Sequence, residues 1–431
     1  MHDPPLLLQI ATLRDHVLTR HEETVNQVLV ALQPTDLLDI GPNRANIVLV
    51  LDDSGSMTGQ PIEQVLAATR AIIDQLGPRD QLAIVGFADD AELVHPLAPL
   101  SRRDSLLRVT DPYIWSHGRR GYGTNMALGL RRAREELRRQ NDPGRINRII
   151  VLTDGFASNP DHTLDIAREI AAQRIAIVSL GFGGDFDMAF MDQIAAPSGG
   201  ACEYIDPRHM DAAIRRFLDH LSAIQDQLTD NARISLSFRG DHRVTDFYQT
   251  WPRTICYGLA RLDADRRWSH RLADVERKQG LEMLFTVIHP ADRPGRKLVA
   301  DVEVRFDIPA AGRFDEVLTG RITVEYGDDE ARFLEVDQRV QRRYNDAFVE
   351  KQQLRARQLV EAGDNAAAGR VLGTIRKRGN PEVRELAEGT LRKLEQQGGV
   401  DRESLYRLKM GTQRKRPPEE REPLPDDEGS P

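Results

Sequence analysis

The chain has 431 residues, 40% of them hydrophobic and 29% charged, and its 59 Lys and Arg against 67 Asp and Glu give a net charge of −8. That length suggests several domains of roughly 100–200 residues, the acidic balance argues against wholesale nucleic-acid binding, and two cysteines, Cys202 and Cys256, make neither a disulfide framework nor a CxxC zinc pair. No apolar run approaches the ~20 residues of a membrane span, and the opening MHDPPLLLQIATLRD lacks the basic start of a secretory signal, so a cytoplasmic chain is expected.

In chain order, Leu6–Leu13 and Val25–Leu32 read as strands, and residues 1–43 are expected to join a β-sandwich whose remainder lies much later. From residue 44 to 228 short β-branched runs alternate with helical patterns. Ile47–Leu51 is a continuous apolar run, as expected of a strand covered on both faces of a parallel sheet. Ile62, Val65, Leu66, Thr69, Ile72, Ile73 and Leu76 follow at helical spacing, and Gly77-Pro78 ends that helix. Leu82–Phe87 is a second strand and Glu92–Leu97 a short edge strand. Met126, Leu130, Ala133 and Leu137 mark the next helix, Ile149–Leu152 a strand, and Leu164, Ala167 and Ile170 another helix. Ile175–Leu180 and Cys202–Ile205 are strands around a helix at Phe190–Ile194, and His209–Leu228 closes the region as a helix. This alternation predicts a doubly wound, mostly parallel α/β domain, Rossmann-like in layout.

Over residues 229–328 the period changes to two, in Ile234, Leu236 and Phe238, in Val302, Val304 and Phe306, and in Ile322, Val324 and Tyr326. That pattern predicts antiparallel strands with one wet face, a β-sandwich into which the α/β domain is inserted. Residues 329–400 read as helices, with turns at Gly363-Asp364 and Gly379-Asn380-Pro381. Residues 401–431 are expected to be a disordered tail, since Gly411–Pro431 holds five prolines and dense mixed charge.

The chemistry concentrates in three segments. In IVLVLDDSGSM a strand delivers Asp52, Ser54 and Ser56 at spacing two, and alternate residues of an extended backbone point the same way. GYGTNMALGL places Thr124 at an expected N-cap with its hydroxyl available, and RIIVLTDGFA puts Asp154 at the end of another strand. Such folds place ligands at the carboxyl edge of central parallel strands. Asp52, Ser54, Ser56, Thr124 and Asp154 offer only hard oxygen donors, which suit Mg²⁺, Ca²⁺ or Mn²⁺ over zinc. Two carboxylates balance the ion's charge, neutral hydroxyls bind it directly, and a vacant position is left for an Asp or Glu of a protein partner.

The DxSxS of Asp52–Ser56, the GTN of Gly123–Asn125 and the TDG of Thr153–Gly155, in register with the strand–helix rhythm, resemble a von Willebrand factor type A domain over about residues 46–228. The resemblance implies a metal-ion-dependent adhesion site formed by those five residues, and a shift of the last helix, His209–Leu228, upon ligand binding. The flanking regions are similar to bacterial intracellular proteins of this superfamily. That likeness implies partners such as MoxR-type AAA ATPases, kinases or phosphatases, or conflict-system components.

Neighbouring residues carry plainer expectations. Asp53 should point away from Asp52 toward solvent or a loop hydrogen bond, Asp89-Asp90 reads as a hydrophilic turn in preference to a secondary cation site, Arg119-Arg120 as a solvated pair in preference to a contact for an acidic ligand beside the metal, and Met57 packs beneath the motif. Arg414–Arg416 belongs to the solvated tail. Enzyme readings lack their motifs: no GxSxG, no HExxH, and no P-loop in a region without lysine. The expected role is a non-catalytic, metal-dependent adaptor or regulator. Two alternatives stay open: a scaffold in which the ion only braces the loops, and a metal-assisted hydrolase.

Overall fold

The computed structural model describes residues 4–35, 43–115, 120–140, 142, 144–154, 157–173, 175–182, 187–198, 200, 202–205, 226–397, 402–413 and 416. The last helix expected at His209–Leu228 lies outside them except for residues 226–228.

The strand read at Ile47–Leu51 is the centre of β4, Arg44–Asp52, and every residue after Arg44 is buried. Its neighbours are β5, Gln81–Phe87, and β7, Arg145–Thr153, both parallel to it. The sheet continues through β6, Ala91–Pro99, antiparallel at one edge, and through β8, Ala176–Phe182, and β9, Cys202–Ile205, at the other. Its order is β6-β5-β4-β7-β8-β9, so the winding reverses between β4 and β7. Helix α1, Gln60–Gln75, covers one face through Ile62, Val65, Leu66, Ile72 and Ile73. After the short helix α2, Arg103–Arg108, the opposite face is covered by α3, Met126–Arg138, α4, Pro160–Ala172, and α5, Met188–Ala195. Each fully buried Val, Leu or Ile contributes roughly 1.5–3 kcal/mol, and a strand covered on both sides has no wet face to alternate with.

The N-terminal strands β1, Leu6–Thr12, β2, His16–Leu18, and β3, Glu23–Pro34, join two five-stranded sheets with strands from beyond the α/β domain. Those are β10, Asp230–Phe238, β11, Arg243–Trp251, β12, Ile255–Leu259, β13, Arg267–Arg271, β14, Leu281–Pro290, β15, Gly295–Ile308, and β16, Arg313–Gly327. One sheet runs β1-β3-β14-β11-β12 and the other β13-β10-β15-β16-β2, with β2 parallel to β16 and the other pairs antiparallel. Their inner faces meet around Phe247, Trp268, Phe285, Phe306 and Tyr326. The α/β domain therefore sits between β3 and β10 of one sandwich.

The helical region opens with two helices, α6, Glu330–Leu334, and α7, Gln338–Glu361. Asp337 separates them, because its carboxylate caps α7 by accepting from Val340 N at 2.9 Å. Helix α7 docks on the sandwich through Val340 and Ala347 against Leu13, Leu29, Tyr248 and Leu284. Arg343 donates to buried Glu282 at 2.6 Å and Arg339 donates to its other oxygen. Burial works against the Glu282 charge, but the two guanidiniums overcome it and hold the carboxyl below its usual range. Helices α8, Asn365–Arg378, and α9, Pro381–Gln397, complete the array with α10, Arg402–Thr412.

Helix α10 corrects the tail expected from residue 401. Leu405 and Leu408 are buried, Gln413 donates to Glu350 at 2.6 Å, and Lys409 pairs with Asp192 of α5 at 2.5 Å. An 11-residue helix is too short to stand on propensity, so packing holds it. Arg416, also expected to be solvated, donates to Asp346 at 2.7 Å and lies over the Trp251 ring. Arg414 and Lys415 lie outside the described residues.

Candidate metal centre

The crevice beyond the carboxyl ends of β4 and β7, where the sheet reverses its winding, is where an open α/β sheet receives ligands. Leu51 pairs with Leu152, which sets Asp52 beside Thr153 and Asp154 one residue further out. Asp52 is 0% exposed. One of its carboxylate oxygens accepts from Ser54 N at 2.9 Å and the other from the Thr153 hydroxyl at 2.6 Å. The Ser54 and Ser56 hydroxyls lie 3.1 Å apart, Ser54 buried and Ser56 exposed, so the loop presents a row of oxygens running from the interior outward. Met57 is buried beneath them, as expected.

Burial pushes the Asp52 carboxyl up to about 6, with hydrogen bonds from Ser54 and Thr153 pulling down and the Asp154 charge pushing up. Among the described residues, the groups that act on it most are two hydroxyl residues and a second carboxylate.

Thr124 is placed differently from what its sequence position suggests. Helix α3 starts at Met126 with Asn125 in the cap position, so Thr124 stands one residue before the cap. It is fixed by main-chain bonds: Asn125 N to Ala88 O at 2.6 Å and Ser158 N to Thr124 O at 2.9 Å, while Thr124 N donates to the Ser158 hydroxyl at 3.2 Å. Thr124 and Asp154 are half-buried. Residues Gly155 and Phe156 of the TDG segment lie outside the described residues.

Several residues that sequence reasoning set aside build the loops. Asp53 is buried, not solvent-facing, and it pairs with Arg120 at 2.5 Å, both side chains being 3% exposed. Arg119 lies outside the described residues. Asp89, expected in a plain turn, turns its carboxylate onto the segment preceding Thr124 and accepts from Tyr122 N at 2.9 Å. A Cβ at Gly121 or Gly123 would stand 2.1 Å from an Asp89 oxygen, and Gly121 has φ +95°, so this contact requires both glycines. Tyr122 O in turn accepts from Gly55 N at 3.1 Å, and the Tyr122 ring, 69% exposed, lies beside the Ser54–Ser56 turn. Thr153 was the one contributor that strand register alone would have revealed, as it ends the strand adjacent to Asp52.

Among the described residues no three His, Cys, Asp or Glu side chains group to hold a metal. The five residues expected from the sequence would not form such a group, since two carboxylates with three hydroxyls are the chemistry of a hard cation and not of zinc.

Residues 46–219 match the family model for the von Willebrand factor type A domain, and the chain carries that domain. It is 25% identical over 273 residues to uncharacterized protein sll0103 of Synechocystis sp., an overlap covering 62% of this chain and 63% of that protein. It is 33% identical over 171 residues to human inter-alpha-trypsin inhibitor heavy chain H4, covering 37% of this chain and 18% of that one. The chain thus spans less than two thirds of either relative. The whole architecture is similar to that of a solved von Willebrand factor type A structure from Catenulispora acidiphila, with a TM-score of 0.74 at 17% identity over 96% of this chain and 97% of that one. The insertion in a sandwich and the helical array therefore belong to a fold already seen as one chain. Among the described residues no helix is long and apolar enough to cross a membrane.

Proposed function

We propose that this chain is a non-catalytic adaptor or regulator that captures a carboxylate of a protein partner through a divalent cation. Mg²⁺ is the first choice, with Ca²⁺ or Mn²⁺ as substitutes, held by Asp52, Ser54, Ser56, Thr124 and Asp154. The observation that carries the reading is the contrast between adjacent aspartates. Asp53 is buried with its own guanidinium, whereas the largest influences on buried Asp52 among the described residues are hydroxyls and a second carboxylate. A buried carboxylate in that setting is completed by an external cation. When bound, the ion supplies a Lewis-acidic position that accepts an additional oxygen ligand. Asp52, oriented by Ser54 N and Thr153, supplies negative charge, and the Ser54, Ser56 and Thr124 hydroxyls supply neutral oxygens. With only two carboxylates, the net charge of the loaded site stays open to an acidic partner.

The inter-alpha-trypsin heavy chains and bacterial relatives carry similar domains, which supports a binding role. A MoxR-type ATPase, a kinase or phosphatase, or a conflict-system component remains the proposed class of partner. The chain is read as acting in the cytoplasm.

Titration of Mn²⁺ into the EDTA-treated full chain, followed by electron paramagnetic resonance, should show one saturable site that is lost in Asp52→Ala and Ser54→Ala. The immobilised chain should retain partners in Mg²⁺ and release them in EDTA. Absence of a saturable site, or identical retention in the two buffers, refutes the proposal.

A further inference from the structure

Arg120 lies four residues before Thr124 and, through Asp53, one residue from both Asp52 and Ser54. Its guanidinium makes three contacts, each to a different part of the site's framework. One nitrogen pairs with Asp53 at 2.5 Å, another with Glu92 of β6 at 2.9 Å, and the guanidinium carbon lies 4.9 Å from the centroid of the Trp115 ring. Its carbonyl accepts from both Asp89 N and Asp90 N, at 2.9 and 3.0 Å. The slot is cut to size: a Cβ on Gly86 would stand 2.8 Å from the Trp115 ring and 2.9 Å from Arg120 Nε. Two residues further on, Tyr122 ties the same segment to Gly55 and to Asp89.

We infer that Arg120 is a positioning residue for the metal centre, locking the Thr124 segment against the Asp52–Ser56 loop through its buried pair with Asp53. This rests on the metal-site reading above. The arrangement also offsets charge. Asp53 adjoins Asp52, and the Arg120 guanidinium set between Asp53 and Glu92 leaves that cluster with one net negative charge instead of two. Lysine, a point charge, does not reproduce a fork that spans two carboxylates and stacks on an indole.

Positioning and bulk electrostatics predict opposite signs for Arg120→Met. Removing the guanidinium leaves an extra negative charge beside the site, which by charge alone strengthens cation binding. If Arg120 orders the loops, affinity falls instead, by about 10- to 100-fold as for other outer groups that orient metal ligands. The experiment measures Mn²⁺ affinity by electron paramagnetic resonance on the full chain, with amide hydrogen exchange of the ion-free chain alongside. Arg120→Met should weaken Mn²⁺ and expose the Gly55, Asp89, Asp90 and Tyr122 amides, while the amides of Val48–Val50 in β4 stay protected. Arg120→Lys should recover part of both losses, and it serves as the working variant if Arg120→Met does not fold. Unchanged or tighter Mn²⁺ binding overturns the inference, as does a loss of protection that spreads equally into β4. A wild-type chain without a saturable Mn²⁺ site refutes the metal reading, and the exchange pattern then decides alone whether Arg120 orders these loops.

Discussion

Replacing Asp52 by Asn tests the electrostatic core of the proposal, because it should stabilise the ion-free chain while abolishing its response to metal. The Asp52 carboxyl moves from an ordinary 3.8 up to about 6 in the folded chain, chiefly through burial. The sign follows from linkage: a carboxyl raised on folding leaves stability intact below its unfolded value and removes it as pH rises through the folded one. The penalty therefore grows between about pH 4 and pH 6 and is complete above that, reaching about 3 kcal/mol. An Asn side chain carries no charge to bury and can still accept from Ser54 N, so it should escape most of that penalty. Urea unfolding in EDTA should find the wild-type α/β domain weaker at pH 8 than at pH 5, with Asp52→Asn flattening the difference and exceeding the wild type at pH 8. Magnesium at about 100 times its dissociation constant should return about 2.7 kcal/mol to the wild type and nothing to the variant. Equal destabilisation of Asp52→Asn at both pH values, or equal stabilisation of both proteins by Mg²⁺, refutes the reasoning.

Tyr122→Ala should lower partner retention by about 2 kcal/mol, as loss of a central interface tyrosine does, yet leave Mn²⁺ affinity nearly unchanged, since the main-chain bonds to Gly55 and Asp89 survive. Surface plasmon resonance on a purified partner and Mn²⁺ titration separate the two effects. Glu282→Gln removes the one carboxylate shared by buried Arg339 and Arg343, and it should cost about 3–5 kcal/mol in urea unfolding of the sandwich and helices. Because the Glu282 carboxyl is held low, that stability is present above the ordinary glutamate range and disappears as pH falls through the folded value. Leu408→Ala, at a fully buried position of α10, should cost about 2–5 kcal/mol and raise the protease susceptibility of the segment after Gln397.

The α/β order was legible because the central strands β4, β5 and β7 are buried almost throughout and the helices on one side, so burial writes continuous runs beside 3.6-residue stripes. The sandwich was legible from period two, and its division by the inserted domain followed from β3 and β10 lying on either side of it. Helix α10 was not legible, because its signal is two leucines three residues apart, and the groups that hold it, Glu350 and Asp192, are distant in sequence. The break at Asp337 was visible in principle as an aspartate three residues before Val340, but the apolar positions on either side continued the helical period across it. The site's loops were legible in their oxygens and opaque in their supports.

Asp52 and Asp53 show why. They are adjacent, chemically identical, and both buried, so neither composition nor period separates them. The pleat assigns them opposite directions, which predicts that one faces the crevice and the other does not. It does not say whether the second meets water or protein. That depends on Gly86 and Trp115 leaving a slot that a guanidinium fills, 67 residues along the chain from Asp53. A doublet of arginines before a GYG segment reads as solvated charge until the slot is known. The difference between the two aspartates thus arises in tertiary structure: Asp53 has its cation built in, and on the proposed reading Asp52 would take one from solution. On that reading the residue opposite each aspartate, and not the aspartates themselves, divides structural from ion-binding charge.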